Sequence, residues 1–335
     1  MHNLFDERYF AFGVNLAWLD GQYDHDFGKN EVMGYNFRAY DEKHRKQNLE
    51  AYFRDISEMG AHVVRLWLFE RFEGLQFDNN GNVNGIDEGL IANVADVLNV
   101  AERCHLYLYI CLMDTWGVTV HAQQHVQRLN AIISDKRVRS SYVDNGVKRF
   151  VSDTKLKTNR IFAIDVMNEP EGMYSSIWRR DIEWADIIKF INECARAIHA
   201  ANIRTSCGFQ RYQTLLDNKD YLQVLDFYDY HEYNDDGELI GYSDLSLDKP
   251  CIIGECGQKS EKYDDEIYDR IVGKFLNNAW KRGYAGCLIW NYNYKGYDVN
   301  DSTNRNSLIS TDGKWRRACY ALMDFNEKHK RNMIR

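Results

Sequence analysis

Eight short runs of apolar residues, separated by segments with helical spacing, constrain this chain more than any other feature. They cover residues 10–16, 62–68, 106–113, 161–167, 205–209, 224–230, 251–254 and 286–290. A strand that is apolar on nearly every residue is buried on both faces, and helices between such strands supply the covers a parallel sheet needs. The spacing of Leu90, Ile91, Val94, Val97, Leu98 and Ala101 predicts one such helix, and Ile187, Ile188, Ile191, Ala195 and Ile198 another. A third is expected around Ile267, Ile271, Phe275 and Ala279, and a last one over residues 314–330 with Ala318, Ala321, Leu322 and Phe325 on one stripe. Eight strand–helix units close into an α/β fold of the (β/α)8 TIM barrel type. The alternative is an open doubly wound sheet, but neither G-x-G-x-x-G nor G-x-x-x-x-G-K-[ST] follows any run, which weakens its nucleotide-binding form. The 335 residues carry two prolines, Pro170 and Pro250, both beside expected strands rather than in a linker. One domain over residues 1–335, with long loops after the strands, is the expected organisation.

Charge and cysteine usage exclude several classes of partner. Forty-two basic residues against fifty acidic ones give a net charge of −8, which argues against binding a phosphate backbone, so no nucleic acid partner is expected. No apolar stretch approaches the ~18 residues of a membrane span, so no membrane partner is expected either. Of the eight cysteines, Cys111, Cys251 and Cys287 sit inside apolar runs and read as buried thiols, and no C-x-x-C pair is present. Residues 1–12 are mixed and charged and lack the pattern of an export signal. Together these features give an expectation of a cytoplasmic location. They leave the oligomeric state open.

The loops after the strands are uneven. Long polar segments at 20–40, 70–85, 232–247 and 291–313 all follow strand C-termini, where barrel enzymes build their sites. Trp18, Tyr23, Tyr35, Phe72, Tyr242, Tyr292, Tyr294 and Tyr297 lie in or beside them. Flat amphipathic rings there either stack on the C–H faces of sugars or bury themselves within their own loops.

Two glutamates stand where strands four and seven should end: Glu169 after IFAIDVMN and Glu255 after CIIG. A carboxylate directly after an apolar strand has left the core and faces the barrel mouth. Two carboxyl groups ~5–5.5 Å apart there are the machinery of retaining glycoside hydrolysis. Asn168 beside Glu169 carries an amide suited to a sugar hydroxyl. His231 and Tyr233 share a face of strand six by its period of two. Arg65, inside VVRLW, is costly to bury without a partner, and a carboxylate near the mouth would remove that cost. Trp290 ends strand eight as a platform for a sugar ring.

In this order, Arg65 in VVRLW, Asn168 and Glu169 in VMNEP, His231 and Tyr233 in YHEY, Glu255 in IIGECG and Trp290 in LIWNY resemble the signature of the clan A retaining glycoside hydrolases, most nearly glycoside hydrolase family 5, which holds cellulases and mannanases. The resemblance spans all eight strands. It implies Glu169 as general acid/base and Glu255 as nucleophile, Asn168 on the 2-hydroxyl, and Arg65 and Tyr233 supporting the nucleophile. It implies His231 as the residue orienting the acid/base or substrate, and Trp290 as the floor of the cleavage subsite.

One element departs from the family pattern. A histidine usually follows strand three, whereas this chain reads CLMDTWG, with Asp114 and Trp116 as expected sugar contacts together with Trp18. His121 and His125 have helical i, i+4 spacing, but no H-E-x-x-H surrounds them, so no metal and no cofactor is expected. The expected partner is an oligosaccharide or polysaccharide. Glucan, mannan and a glycoconjugate remain open as substrates, as do internal and terminal cutting. The rival from another class is a non-catalytic sugar-binding barrel, which would keep the aromatics without both glutamates, Arg65 and Tyr233.

Overall fold

The computed structural model describes residues 9–19, 24–115, 122–174, 182–259, 264–293, 306–310 and 312–330. Eight parallel strands form a closed barrel: β1 (Ala11–Asn15), β2 (Val63–Trp67), β5 (Tyr107–Cys111), β6 (Ile161–Asn168), β7 (Thr205–Phe209), β8 (Tyr228–Tyr233), β9 (Cys251–Gly257) and β10 (Gly286–Ile289). Neighbours in sequence are neighbours in the barrel, and β10 closes it on β1, with Ala11 opposite Gly286. A separate antiparallel pair, β3 (Leu75–Phe77) and β4 (Val83–Ile86), decorates the loop after β2.

Helices cover the outside: α1 (Lys43–Glu58), α2 (Glu88–Arg103), α3 (Ala122–Ser134), α4 (Lys136–Ser141), α5 (Arg149–Ser152), α6 (Trp184–His199), α7 (Tyr212–Asn218), α8 (Asp265–Lys281) and α9 (Arg317–His329). The Asp87 side chain caps α2 by accepting the Gly89 N–H, and Asp264 caps α8 through the Ile267 N–H. The apolar stripe expected on α2 is buried throughout. On α8, Ile271, Phe275 and Ala279 are buried but Ile267, one turn from the start, is exposed. Among the described residues no helix is long and apolar enough to cross a membrane. All eight cysteines are free and buried, with Cys256 and Cys287 Sγ atoms 3.4 Å apart on adjacent strands.

One strand expectation and one loop expectation differ from the structure. The apolar run at 224–230 contributes only its last three residues to β8. Before them, the Asp226 carboxylate accepts the Thr205 N–H at 2.7 Å and holds a turn, so Leu225 is buried from a loop. The segment after β2 is also less polar in practice than in composition. Phe72 and Leu75 pack into the main core, and Glu70, Arg71 and Glu73 are buried beside them.

The barrel interior changes character along its axis. Ala11, Val63, Tyr109, Phe162, Phe227, Ile252 and Leu288 fill one end as an apolar plug. Further along the same strands, toward their C-terminal ends, stand Asn15, Arg65, Asp165 and Asp229, all fully buried. Side chains of alternate residues point inward, so this polar layer lies directly below the C-terminal mouth.

Candidate active site

Arg65 organises the polar layer. Its Nε and Nη2 donate to Asp165 Oδ2 at 3.2 and 2.7 Å, and its Nη1 donates to Glu255 Oε1 at 2.6 Å. Nη1 also reaches Asn15 Oδ1 at 3.0 Å, and Nη2 reaches Asn168 Oδ1 at 2.9 Å. A guanidinium with no exposure is tolerable only when its fork is satisfied in this way. Asn15 is held in turn by donating to the Gly254 carbonyl at 2.9 Å, which ties β1 to β9 just before Glu255.

Glu255 lies within β9 rather than after it, because the strand continues to Gly257. Its second oxygen, Oε2, accepts the Tyr233 hydroxyl at 2.7 Å. Burial pushes the Glu255 carboxyl above the ordinary glutamate value, and Arg65 and the Tyr233 hydrogen bond pull it back.

Glu169 follows β6 with a left-handed backbone, φ 46°. Its N–H donates to the Gly208 carbonyl at 2.7 Å, and its own carbonyl accepts the Thr115 hydroxyl at 2.6 Å, so the turn that presents it is fixed from both neighbouring strands. His231 Nδ1 lies 2.7 Å from Glu169 Oε1 and 3.6 Å from Glu255 Oε2. Burial lowers the His231 pKa to about 4, so at neutral pH the imidazole is uncharged and Arg65 is the cation against Glu255. An added Cβ at Gly208 would stand 2.7 Å from His231 Nε2, so glycine is what lets the ring lie against β7. Gln210, just past β7, extends its amide to 3.5 Å from Glu169 Oε2, with its backbone N–H bonded to Glu171 at 3.0 Å.

Selected oxygens of Glu169 and Glu255 and a nitrogen of His231 all lie within 4.8 Å of one another. Three such atoms are formally a metal-ligand set. Here they already serve one another and Arg65, which at 2.6 Å supplies the positive charge a cation would bring.

Trp18, Trp67 and Trp290 form one cluster at the mouth. Trp18 meets Trp67 edge-on at 5.3 Å between ring centroids and Trp290 at 5.9 Å, and Trp67 lies 5.9 Å from Trp290. Trp18 is fixed by donating its indole N–H to Glu70 Oε2 at 2.8 Å. The Trp290–Asn291 peptide is cis. Asp114 accepts the Asn168 amide at 3.1 Å and is almost fully buried, so it stands behind Asn168 in the site.

Of the residues expected from sequence, Glu169, Glu255, Arg65, Asn168, His231, Tyr233, Asp114, Trp290 and Trp18 gather at this mouth. Trp116 lies outside the described residues, as do Tyr23, His121, Tyr294 and Tyr297. His125 is buried on α3 with its ring 4.9 Å from Phe72, so it is a packing residue there. Phe72 and Tyr292 are buried within the fold rather than offered to a ligand. Sequence reasoning missed Asn15, Trp67, Asp165, Asp229 and Gln210. The signal for Asp165 and Asp229 was available, since each is a carboxylate inside an otherwise apolar strand.

No family model matches the chain. Among known proteins it is similar to the mannan endo-1,4-beta-mannosidase of Mytilus edulis, 26% identical over 329 residues that cover 84% of this chain and 83% of the relative. In fold it is similar to the beta-1,4-mannanase of the sea hare Aplysia kurodai, with a TM-score of 0.70 at 21% identity over 98% of this chain and 95% of the other. A GH5_18 protein of Bifidobacterium longum subsp. infantis gives a TM-score of 0.70 at 13% identity, covering 95% and 79%. Barrel, motif order and relatives agree on an O-glycosyl hydrolase, one that resembles the clan A, family 5 enzymes.

Proposed function

We propose that this protein cleaves internal β-1,4 linkages of mannan with retention of anomeric configuration, using Glu255 as nucleophile and Glu169 as acid/base. The observation that carries the mechanism is the approach of the Glu169 and Glu255 carboxyl oxygens to within 4.8 Å. Inverting enzymes separate their carboxyl groups by ~6.5–9.5 Å to admit a water, whereas retaining enzymes hold them at ~5–5.5 Å. Mannan as substrate rests on the relatives from Mytilus edulis and Cryptopygus antarcticus, both mannan endo-1,4-beta-mannosidases.

Two ionised carboxylates ~5 Å apart repel by about 3 kcal/mol at an effective dielectric near 20, so one proton is shared out unequally. Arg65 and Tyr233 favour the charge on Glu255, and the proton stays on Glu169. Glu255 attacks the anomeric carbon as the bond to the leaving oxygen breaks, and that oxygen takes the Glu169 proton. The glycosyl ester removes one negative charge, which lowers the Glu169 pKa. Glu169 then takes a proton from water as the water attacks the anomeric carbon, the bond from that carbon to Glu255 breaks, and Glu255 leaves as carboxylate. Asn168, oriented by Arg65 on its oxygen and Asp114 on its nitrogen, presents an N–H to the sugar 2-hydroxyl. Trp290, braced by Trp18 and Trp67, floors the subsite.

The test is digestion of linear β-mannan and β-glucan, with products sized over time and their anomers followed by NMR. Early release of mixed-length β-mannooligosaccharides with retained configuration is expected. Glu255→Ala should be inactive and form a glycosyl azide of inverted configuration when azide is supplied. Inversion in the wild-type product, or turnover by Glu255→Ala without azide, overturns the assignment.

A further inference from the structure

We infer that Asp165 is a positioning residue that sets both catalytic carboxyls at once, holding the Arg65 fork with one oxygen and the backbone that presents Glu169 with the other. The inference rests on the proposed roles of Glu169 and Glu255 and adds a residue that touches neither.

Asp165 is fully buried, and its two oxygens do different work. Oδ2 takes the Arg65 Nε and Nη2 donors at 3.2 and 2.7 Å, which leaves Nη1 to reach Glu255 at 2.6 Å. Oδ1 accepts the backbone N–H groups of Met167 and Gly208, each at 3.1 Å. These amides sit at an irregularity in the β6–β7 ladder. Asp165 pairs with Ser206 but Asn168 with Gly208, so three steps on β6 match two on β7. A bulge of this kind frees backbone donors from the ladder and redirects the side chains that follow. Here the freed donors are satisfied by the Asp165 carboxylate, and the redirected residues are Asn168 and Glu169. Gly208 is the hinge between them: its N–H binds Asp165 and its carbonyl accepts the Glu169 N–H at 2.7 Å.

The second consequence is electrostatic. Arg65 divides one positive charge between Asp165 and Glu255. A lysine, with a single ammonium and no fork, reaches one of two carboxylates on different strands but does not bridge them. Glu255 is faced by Arg65 from β2, Glu169 after β6, and His231, Tyr233 and Asp229 from β8. Removing the charge of Asp165 therefore leaves Arg65 undivided against Glu255.

The test compares pH profiles of kcat/KM for the wild type, Asp165→Asn and Arg65→Lys on an activated aryl β-mannoside. With Asp165→Asn the acid limb should move down by about one pH unit, the usual scale for a change in a neighbouring charge. With Arg65→Lys it should move up, as the ammonium settles on Asp165, which takes two of the guanidinium donors where Glu255 takes one. Opposite shifts from two variants of one ion pair are not a signature of general structural damage. Folded Asp165→Asn with an unmoved acid limb overturns the inference. If that variant does not fold, Arg65→Lys decides alone, and a wild-type limb in it overturns the inference. Azide trapping by Glu255→Ala separates the cases: a glycosyl azide with unmoved limbs refutes the role of Asp165 only, whereas no azide product refutes the assignment of Glu255.

Discussion

Tyr233→Phe deletes one hydroxyl, the donor 2.7 Å from Glu255 Oε2. A hydrogen bond to a charged group contributes about 1.5–3 kcal/mol, which corresponds to about 1–2 pK units for the carboxylate that accepts it. The donor favours the ionised form, so its loss raises the Glu255 pKa above the value that burial already elevates, while Arg65 at 2.6 Å stays in place. The ionised nucleophile is the active form, so activity is lost as pH falls through this pKa. The acid limb of kcat/KM should therefore move up by about 1–2 units, with a loss of about 10- to 100-fold on the acid side that narrows as pH rises. An aryl β-mannoside with a good leaving group isolates the nucleophile from Glu169, and thermal unfolding at each pH controls for stability. A uniform loss at every pH with the limb in its wild-type place would refute the reasoning, because the tyrosine would then act on geometry alone.

Other outcomes follow from the same site and its surroundings. Trp290→Ala should lower kcat/KM on mannooligosaccharides by about tenfold, the scale of losing about 1.4 kcal/mol of ring contact, with Trp290→Phe intermediate; equal loss in both variants would contradict the stacking role. Asp114→Ala should weaken substrate binding through Asn168, and Asp114→Asn, which keeps an acceptor for the amide, should recover part of the loss; steady-state kinetics would contradict this if the two were alike. Buried Glu73 has its pKa pushed up to about 8 by burial, opposed by the N–H groups of Phe27 and Gly28 that it accepts at 2.5 Å. A carboxyl whose folded pKa is raised stabilises the fold fully below its unfolded value and loses that contribution as pH rises through about 8, at up to about 1.4 kcal/mol per unit. Glu73→Gln should therefore flatten the decline of Tm between pH 5 and 8, and parallel declines in both proteins would refute this.

The barrel was legible because its strands are buried on both faces, and the order of VVRLW, VMNEP, YHEY, IIGECG and LIWNY placed the site at its mouth. The supporting shell was less legible, for reasons particular to each residue. Arg65 announced a need for a carboxylate, but Asp165 and Glu255 share it, and a division between two strands leaves no mark in spacing. Asn15 acts across the closure of the barrel, on a carbonyl 239 residues away. Trp67 sits two residues past Arg65 in an apolar run, where an indole reads as core until Trp18 and Trp290 are seen beside it. The start of β8 was misjudged because Leu225 is as apolar as a strand residue yet is buried from a turn held by Asp226.

The three indoles at the mouth give this enzyme a built-in optical reporter. Trp18, Trp67 and Trp290 stand within 6 Å of one another, close enough to exchange excitation, so a sugar ring laid on Trp290 should perturb the emission of the whole trio. Subsite occupancy could then be titrated in an unlabelled sample of an inactive Glu255 variant, with the slow step of turnover switched off.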